Sequence, residues 1–158
     1  LDAFFSRLGL EPFTSDYSLE NFLALMKGRK VKSKTLLLDQ SFVAGVGNIY
    51  ADEALFESGI HPLRRINQLR VYERKALFEA IPLVLKKGIR FGGTSIRDFI
   101  NSDGTAGNHQ KKLNVYGRGG KPCRNCGTIL HKIVVGQRGT HFCPVCQPRK
   151  GSRRGHKV

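Results

Sequence analysis

The sequence predicts a mostly α-helical module followed by a small metal-stapled β-hairpin. Three features carry that prediction. Up to about residue 90, apolar residues recur at helical spacing and are punctuated by glycine and proline. Cys123, Cys126, Cys143 and Cys146 form two C-x-x-C knuckles sixteen residues apart, a separation within the zinc-ribbon range. Between the knuckles, Ile129 to Val135 and Thr140 to Phe142 read as strands around the turn Gly136-Gln-Arg-Gly139.

The helices follow in order. Leu1, Phe4, Phe5 and Leu8 form a stripe ended by Gly9 and Pro12. The chain opens at Leu1, inside a helix-like phrase, as a part of something longer would. Ser18 is a good N-cap for a helix with Leu19, Phe22, Leu23 and Met26 on one face and Gly28 as its stop. Lys27, Arg29, Lys30, Lys32 and Lys34 then form a basic patch, which could equally be a solvated helix end, before Leu36-Leu37-Leu38. Gly45-Val-Gly-Asn48 leads into a helix whose buried face carries Ile49, Leu55 and Phe56, with Ile60 beyond it, and which Gly59 and Pro62 end. Asn67 is placed to cap the next helix, and Pro82 should kink or divide it, because proline removes one N–H and crowds the preceding turn. The two long helices, joined by about eight residues, outline a helix–turn–helix hairpin.

Gly92-Gly93 closes the helical part. The glycine-rich stretch Thr94 to Lys112 is too long for a simple connection. Leu113 to Tyr116 reads as a short strand, and Arg149 to Val158 as a disordered basic tail. The expected division is therefore residues 1–112, with a loop at about 93–112, then the finger at 113–148 and the tail at 149–158.

Charge is placed unevenly. The formal net charge is +15, yet Leu1 to Asp103 contribute only +3, and Gly104 to Val158 hold twelve Lys/Arg and no acid. Such a segment reads as a footprint on a phosphate backbone. Four clustered thiols, no apolar leader and no membrane-length run point to an intracellular metal protein rather than one of two disulfides, the alternative for this pattern. Four thiolates leave no open position, so the zinc is structural and supplies folding free energy to the hairpin. His131 and His141 are available as substitute ligands, but the symmetric knuckles favour an all-cysteine shell.

Arg138, at the expected hairpin tip, is well placed to reach a groove or a phosphate. The glycines and free amides before Asn48 suit an anion, although Asn48 itself could be a simple N-cap. No Ser-His-Asp grouping, H-E-x-x-H or Walker loop is present. Asp52 and Glu53 are adjacent, point apart on a helix, and read as surface carboxylates or local salt-bridge partners.

Leu38-Asp-Gln, Val43-Ala-Gly-Val-Gly-Asn-Ile-Tyr-Ala-Asp-Glu-Ala-Leu-Phe56 and Gly59-Ile-His-Pro62 resemble the helix-two-turn-helix core of the formamidopyrimidine-DNA glycosylase family. Gly92-Gly-Thr-Ser-Ile-Arg-Asp-Phe99, Val115-Tyr-Gly-Arg118 and Arg138-Gly-Thr-His-Phe-Cys-Pro-Val-Cys-Gln147 resemble its later loop, strand and zinc finger, in the same order. The endonuclease VIII family shares the core and finger, and stays open as an alternative. So does a non-enzymatic zinc-ribbon module that binds nucleic acid.

The resemblance implies a glycosylase and abasic-site lyase that removes oxidised purines, 8-oxoguanine and formamidopyrimidines, from duplex DNA. By it, Lys34 and Asn48 match phosphate-gripping positions and Arg29 a further DNA contact. Arg138 matches the finger arginine that binds phosphates and donates a proton during elimination. Ser95, Ile96, Arg97, Asp98 and Phe99 match a loop that closes over an extruded base. The family's N-terminal β-sandwich, whose proline amine attacks the sugar, has no counterpart here, so the chain alone is expected to bind DNA without trapping it. The other expectations are one structural zinc, the catalytic domain and lesion-bearing or abasic duplex DNA as partners, no membrane, a monomer, and a cytoplasmic, nucleoid-associated location.

Overall fold

The computed structural model describes residues 9–90 and 113–150. Four helices are followed by a two-stranded hairpin: α1 Leu19–Met26, α2 Ser33–Leu37, α3 Asn48–Ser58, α4 Val71–Arg90, β1 His131–Val135 and β2 Arg138–Phe142. The expected first helix over residues 1–8, the loop Ser95 to Phe99 and the tail from residue 151 lie outside the described residues.

Helix α1 starts as its sequence predicts, with the Ser18 hydroxyl accepting from the Asn21 amide at 3.1 Å. Before it, Gly9 runs against the backbone of residues 40–42, where a Cβ would stand 2.5 Å from the Gln40 carbonyl. Helix α3 ends on Gly59 in the left-handed region, φ 75°, which a glycine adopts without strain. Between α3 and α4 lie residues 59–70, a longer connection than expected, with a 3-10 turn over Ile66–Gln68. Asn67 sits inside that turn, whose caps are Arg65 and Leu69, and not at the start of α4. Instead Glu73 reaches back to the Arg70 amide at 2.9 Å, so α4 begins at Val71.

Pro82 does not divide α4. The N–H it lacks would have bonded the Phe78 carbonyl, and that carbonyl accepts instead from the Tyr17 hydroxyl at 2.7 Å. The Tyr17 ring stacks on Phe78 with centroids 4.5 Å apart, and burial holds its phenol well above the usual range. A defect of the local sequence is thus repaired by a residue 61 positions away.

Phe22, Met26, Leu36, Leu37, Phe42, Leu55, Leu77 and Ile81 anchor one core among the helices. A second, smaller core is built from Val115, Cys123, Leu130 and Cys143, with Phe56 of α3 packed against it. Helix α3 therefore lies between two bodies, and Ala51 to Leu55 are all buried.

Candidate nucleic-acid interface

The finger is organised around its four cysteines. Their sulfurs all lie within 4.8 Å of one another, and all four thiols are free. Cys123 Sγ stands 3.9 Å from Cys146 Sγ, and Cys126 Sγ 3.5 Å from Cys143 Sγ. Disulfide sulfurs would be about 2.05 Å apart. A tetrahedron with zinc–sulfur bonds of about 2.3 Å has edges of about 3.8 Å, so the set fits one zinc ion. Backbone amides of Asn125 and Cys146 point at Cys123 and Cys143 sulfurs at 3.3 Å each, as suits thiolate acceptors. His131 and His141 stay out of the shell: His141 bonds Asp52, and His131 packs edge-on to Phe142.

The hairpin turn is tighter than the sequence reading. Gly136 and Gln137 form a two-residue loop, both with positive φ, 55° and 68°. That geometry matches the right-handed twist of the flanking strands. Arg138 and Gly139 consequently belong to β2, and Arg138 pairs with Val135. The Arg138 side chain is exposed. Leu113 to Tyr116 form an irregular turn instead of the expected strand. The amides of Asn114, Val115 and Tyr116 are taken by a carboxylate, which withdraws them from any ladder.

That carboxylate belongs to Glu53. It accepts from the amides of Asn114, Val115 and Tyr116 at 2.9, 2.8 and 2.9 Å. Burial pushes its carboxyl up, while the three amides pull it back down. Asp52, on the next position of α3, reaches the other part of the finger. Its Oδ1 lies 2.6 Å from Lys34 Nζ, and its Oδ2 accepts from the His141 amide at 3.0 Å and faces His141 Nδ1 at 3.0 Å. Both carboxylates are buried and bind residues far along the chain, so the expectation of surface groups or local salt bridges is wrong. A third link is Gln147, which donates to the Ile60 carbonyl at 3.0 Å and accepts from the Cys143 amide at 2.8 Å.

Lys34, Asn48 and the residue after Arg138 converge. The Lys34 ammonium is closed to solvent, and its three N–H groups meet Asp52, Thr140 Oγ1 at 2.8 Å and the Gly139 carbonyl at 3.3 Å. Burial lowers its pKa, and the Asp52 carboxylate opposes that shift. Asn48 is not an N-cap. The cap is Gly47, which has no side chain to bond the first amides of α3, and Asn48 Nδ2 donates to the same Gly139 carbonyl at 3.1 Å. Its Oδ1 is buried and meets no donor among the described residues. Arg29 stands on a different contact, a half-exposed ion pair with Asp39 at 3.6 Å. The site thus presents the exposed Arg138 beside the N-terminus of α3, whose cap is a glycine, backed by a buried ammonium, an arrangement suited to a phosphate.

A model of the formamidopyrimidine-DNA glycosylase H2TH domain matches residues 8–100, and one of the zinc finger found in FPG and IleRS matches residues 120–149. The chain belongs to the formamidopyrimidine-DNA glycosylase family. The formamidopyrimidine-DNA glycosylase of Herpetosiphon aurantiacus is 50% identical over 141 residues, 89% of this chain and 52% of that protein. Lactococcus lactis Fpg in complex with DNA containing an abasic site matches with a TM-score of 0.83 at 41% identity, over 93% of this chain and 54% of that one. MutM (Fpg) of Thermus thermophilus matches with a TM-score of 0.80 at 40% identity, over 92% of this chain and 55% of that one. The chain therefore spans about half the length of the curated glycosylases it matches. Among the described residues, no helix is long and apolar enough to cross a membrane.

The seam between helices and finger also holds a titratable group, His61 of the family-like Gly-Ile-His-Pro phrase. Its ring lies 4.5 Å from that of Phe142, and its Nδ1 accepts from the Leu63 amide at 3.0 Å. Burial first, then Arg149, Arg64 and His131, lowers its pKa from 6.5 to about 4. Both folded and unfolded forms are neutral well above pH 6.5. As pH falls from there towards 4, the unfolded chain takes up a proton that the native ring refuses, so stability is lost. Between pH 7 and pH 5 this group should cost roughly 2 kcal/mol. His61→Asn keeps an acceptor for the Leu63 amide and removes the titration. Urea unfolding at both pH values should show a smaller pH loss for the variant than for the parent; equal losses would refute the assignment.

Proposed function

We propose that the chain is the DNA-gripping part of a bifunctional glycosylase and abasic-site lyase that excises oxidised purines, 8-oxoguanine and formamidopyrimidines, from duplex DNA. The observation that carries this reading is the convergence of Lys34 and Asn48 on the Gly139 carbonyl, which sets exposed Arg138 at the glycine-capped N-terminus of α3. Solved relatives hold abasic-site DNA and Fapy-dG DNA, which supports the substrate class. Arg138, Asn48 and Arg29 contact phosphates, and Arg138 also serves as proton donor in elimination. Lys34 enters from behind: its buried charge adds to the field at the site while its N–H groups hold the finger. The zinc holds the hairpin that carries Arg138 and takes no part in bond breaking. Ser95 to Phe99 close over the everted base, and residues 1–112 and 113–148 act as the two parts of this grip. Base removal and strand cleavage belong to the whole protein, working as a monomer on the DNA of a bacterial cytoplasm.

Salt titration of binding to a duplex with one abasic site tests the reading. Affinity should fall steeply from low to moderate salt, and Arg138→Ala should weaken binding and flatten the log–log slope by about 0.9. Binding insensitive to salt would instead favour a zinc-ribbon module for protein partners.

A further inference from the structure

We infer that Asp52 is a positioning residue for the DNA grip, acting through Lys34 and Thr140 on the direction of Arg138; this rests on the reading of Arg138 as a phosphate contact. Asp52 is itself closed to solvent. It reaches Arg138 through other residues. Its Oδ1 holds Lys34 Nζ, and Lys34 holds the Gly139 carbonyl and Thr140 Oγ1. The Thr140 hydroxyl donates to the Arg138 carbonyl at 3.0 Å, and Asp52 Oδ2 takes the His141 amide. Every residue from Arg138 to His141 is therefore tied into one network, with the Asp52 charge at its centre.

The hairpin cannot supply this orientation alone. Its register sets Arg138 against Val135 and its turn sets the strand ends against each other, but neither relates β2 to the N-terminus of α3. Glu53 and Gln147 hold the lead-in turn and the second knuckle, at other points of the finger. Asn48 Nδ2 also holds the Gly139 carbonyl at 3.1 Å, independently of Asp52. Loss of the Asp52 charge should therefore leave the finger docked and Gly139 tied by Asn48 alone, loosening the end of β2 that carries Arg138. An ammonium without its counter-ion is costly in a buried site, so Lys34 would give up its proton or move towards water. Either change loosens Gly139 and Thr140.

A double-mutant cycle in the full chain separates positioning from simple stabilisation. The readouts are affinity for a duplex with one abasic site and thermal stability, for the parent, Asp52→Asn, Arg138→Ala and the double variant. We expect Asp52→Asn to weaken binding about tenfold in the parent and less than about twofold in the Arg138→Ala background. Its effect on stability should be the same in both. Equal fold losses of affinity in the two backgrounds would overturn the positioning role and leave the grip intact. Unchanged affinity on Arg138→Ala alone would sink the grip reading, and this inference with it. Should Asp52→Asn not fold, Thr140→Val serves in the same cycle, since it removes only the hydroxyl that links Lys34 to the Arg138 carbonyl, and the same coupled or additive outcomes decide.

Discussion

Chelating the metal from the four cysteines is expected to melt residues 113–150 while the helices stay folded. The finger's own apolar core is four residues, two of them ligands, which is far too little to order a hairpin. Structural zinc contributes about 10–16 kcal/mol in small finger peptides, and here it replaces that missing core. The helical core is separate and includes Phe22, Phe42, Leu55, Leu77 and Ile81. Lys34, Asp52 and Glu53 lose their finger partners in the process, but they become accessible to water and so leave no unpaired charge behind. Hydrogen exchange gives the measurement. Protection at the amides of Asn114, Val115, Tyr116 and His141 should vanish on metal loss, while that of α4 persists, and DNA affinity should collapse. Retained protection at those amides after verified metal loss would show that the carboxylates of α3, rather than the metal, hold the finger together.

Lys34→Met should cost about 3–5 kcal/mol, more than any surface charge substitution in the chain. The residue it abandons is Asp52, a carboxylate with no exposure that would keep only the amide and ring of His141. The Coulombic gain of a buried pair roughly offsets its desolvation, so the pair stabilises little by its presence and much by not being broken. Lys34→Met combined with Asp52→Leu should accordingly lose less stability than Lys34→Met alone, the remainder being mainly the His141 amide left without an acceptor. Equilibrium unfolding in urea distinguishes the cases. A double variant that loses the sum of the two single losses would show that no charge was left stranded.

How much of this was legible before the structure depends on the range of each interaction. The Ser18 cap, the Gly59 stop and the tetrahedral cysteine set are written in residues a few positions apart, or in a spacing that only a metal rewards. The start of α4 was readable too, but from Glu73 behind Arg70 rather than from Asn67. Arg138 reads from the sequence as a residue of the hairpin tip; it is exposed, but it belongs to β2, because the turn closes in two residues instead of four. Asp52 and Glu53 left one faint signal. Ile49, Ala51, Ala54, Leu55 and Phe56 lie all round α3, so any charge among them had to be buried and paired.

By itself, then, the sequence determined the metal ligands, the Ser18 cap of α1, the Gly59 stop of α3 and the concentration of positive charge. Each depends on local geometry or on composition. Only the tertiary structure decided that Tyr17 mends α4 at Pro82, that Lys34 is sealed against Asp52, and that two neighbouring carboxylates clasp the finger from one helix. The reason is physical. A buried polar group must find a partner wherever the packed chain offers one, and here those partners lie 18 to 106 residues away.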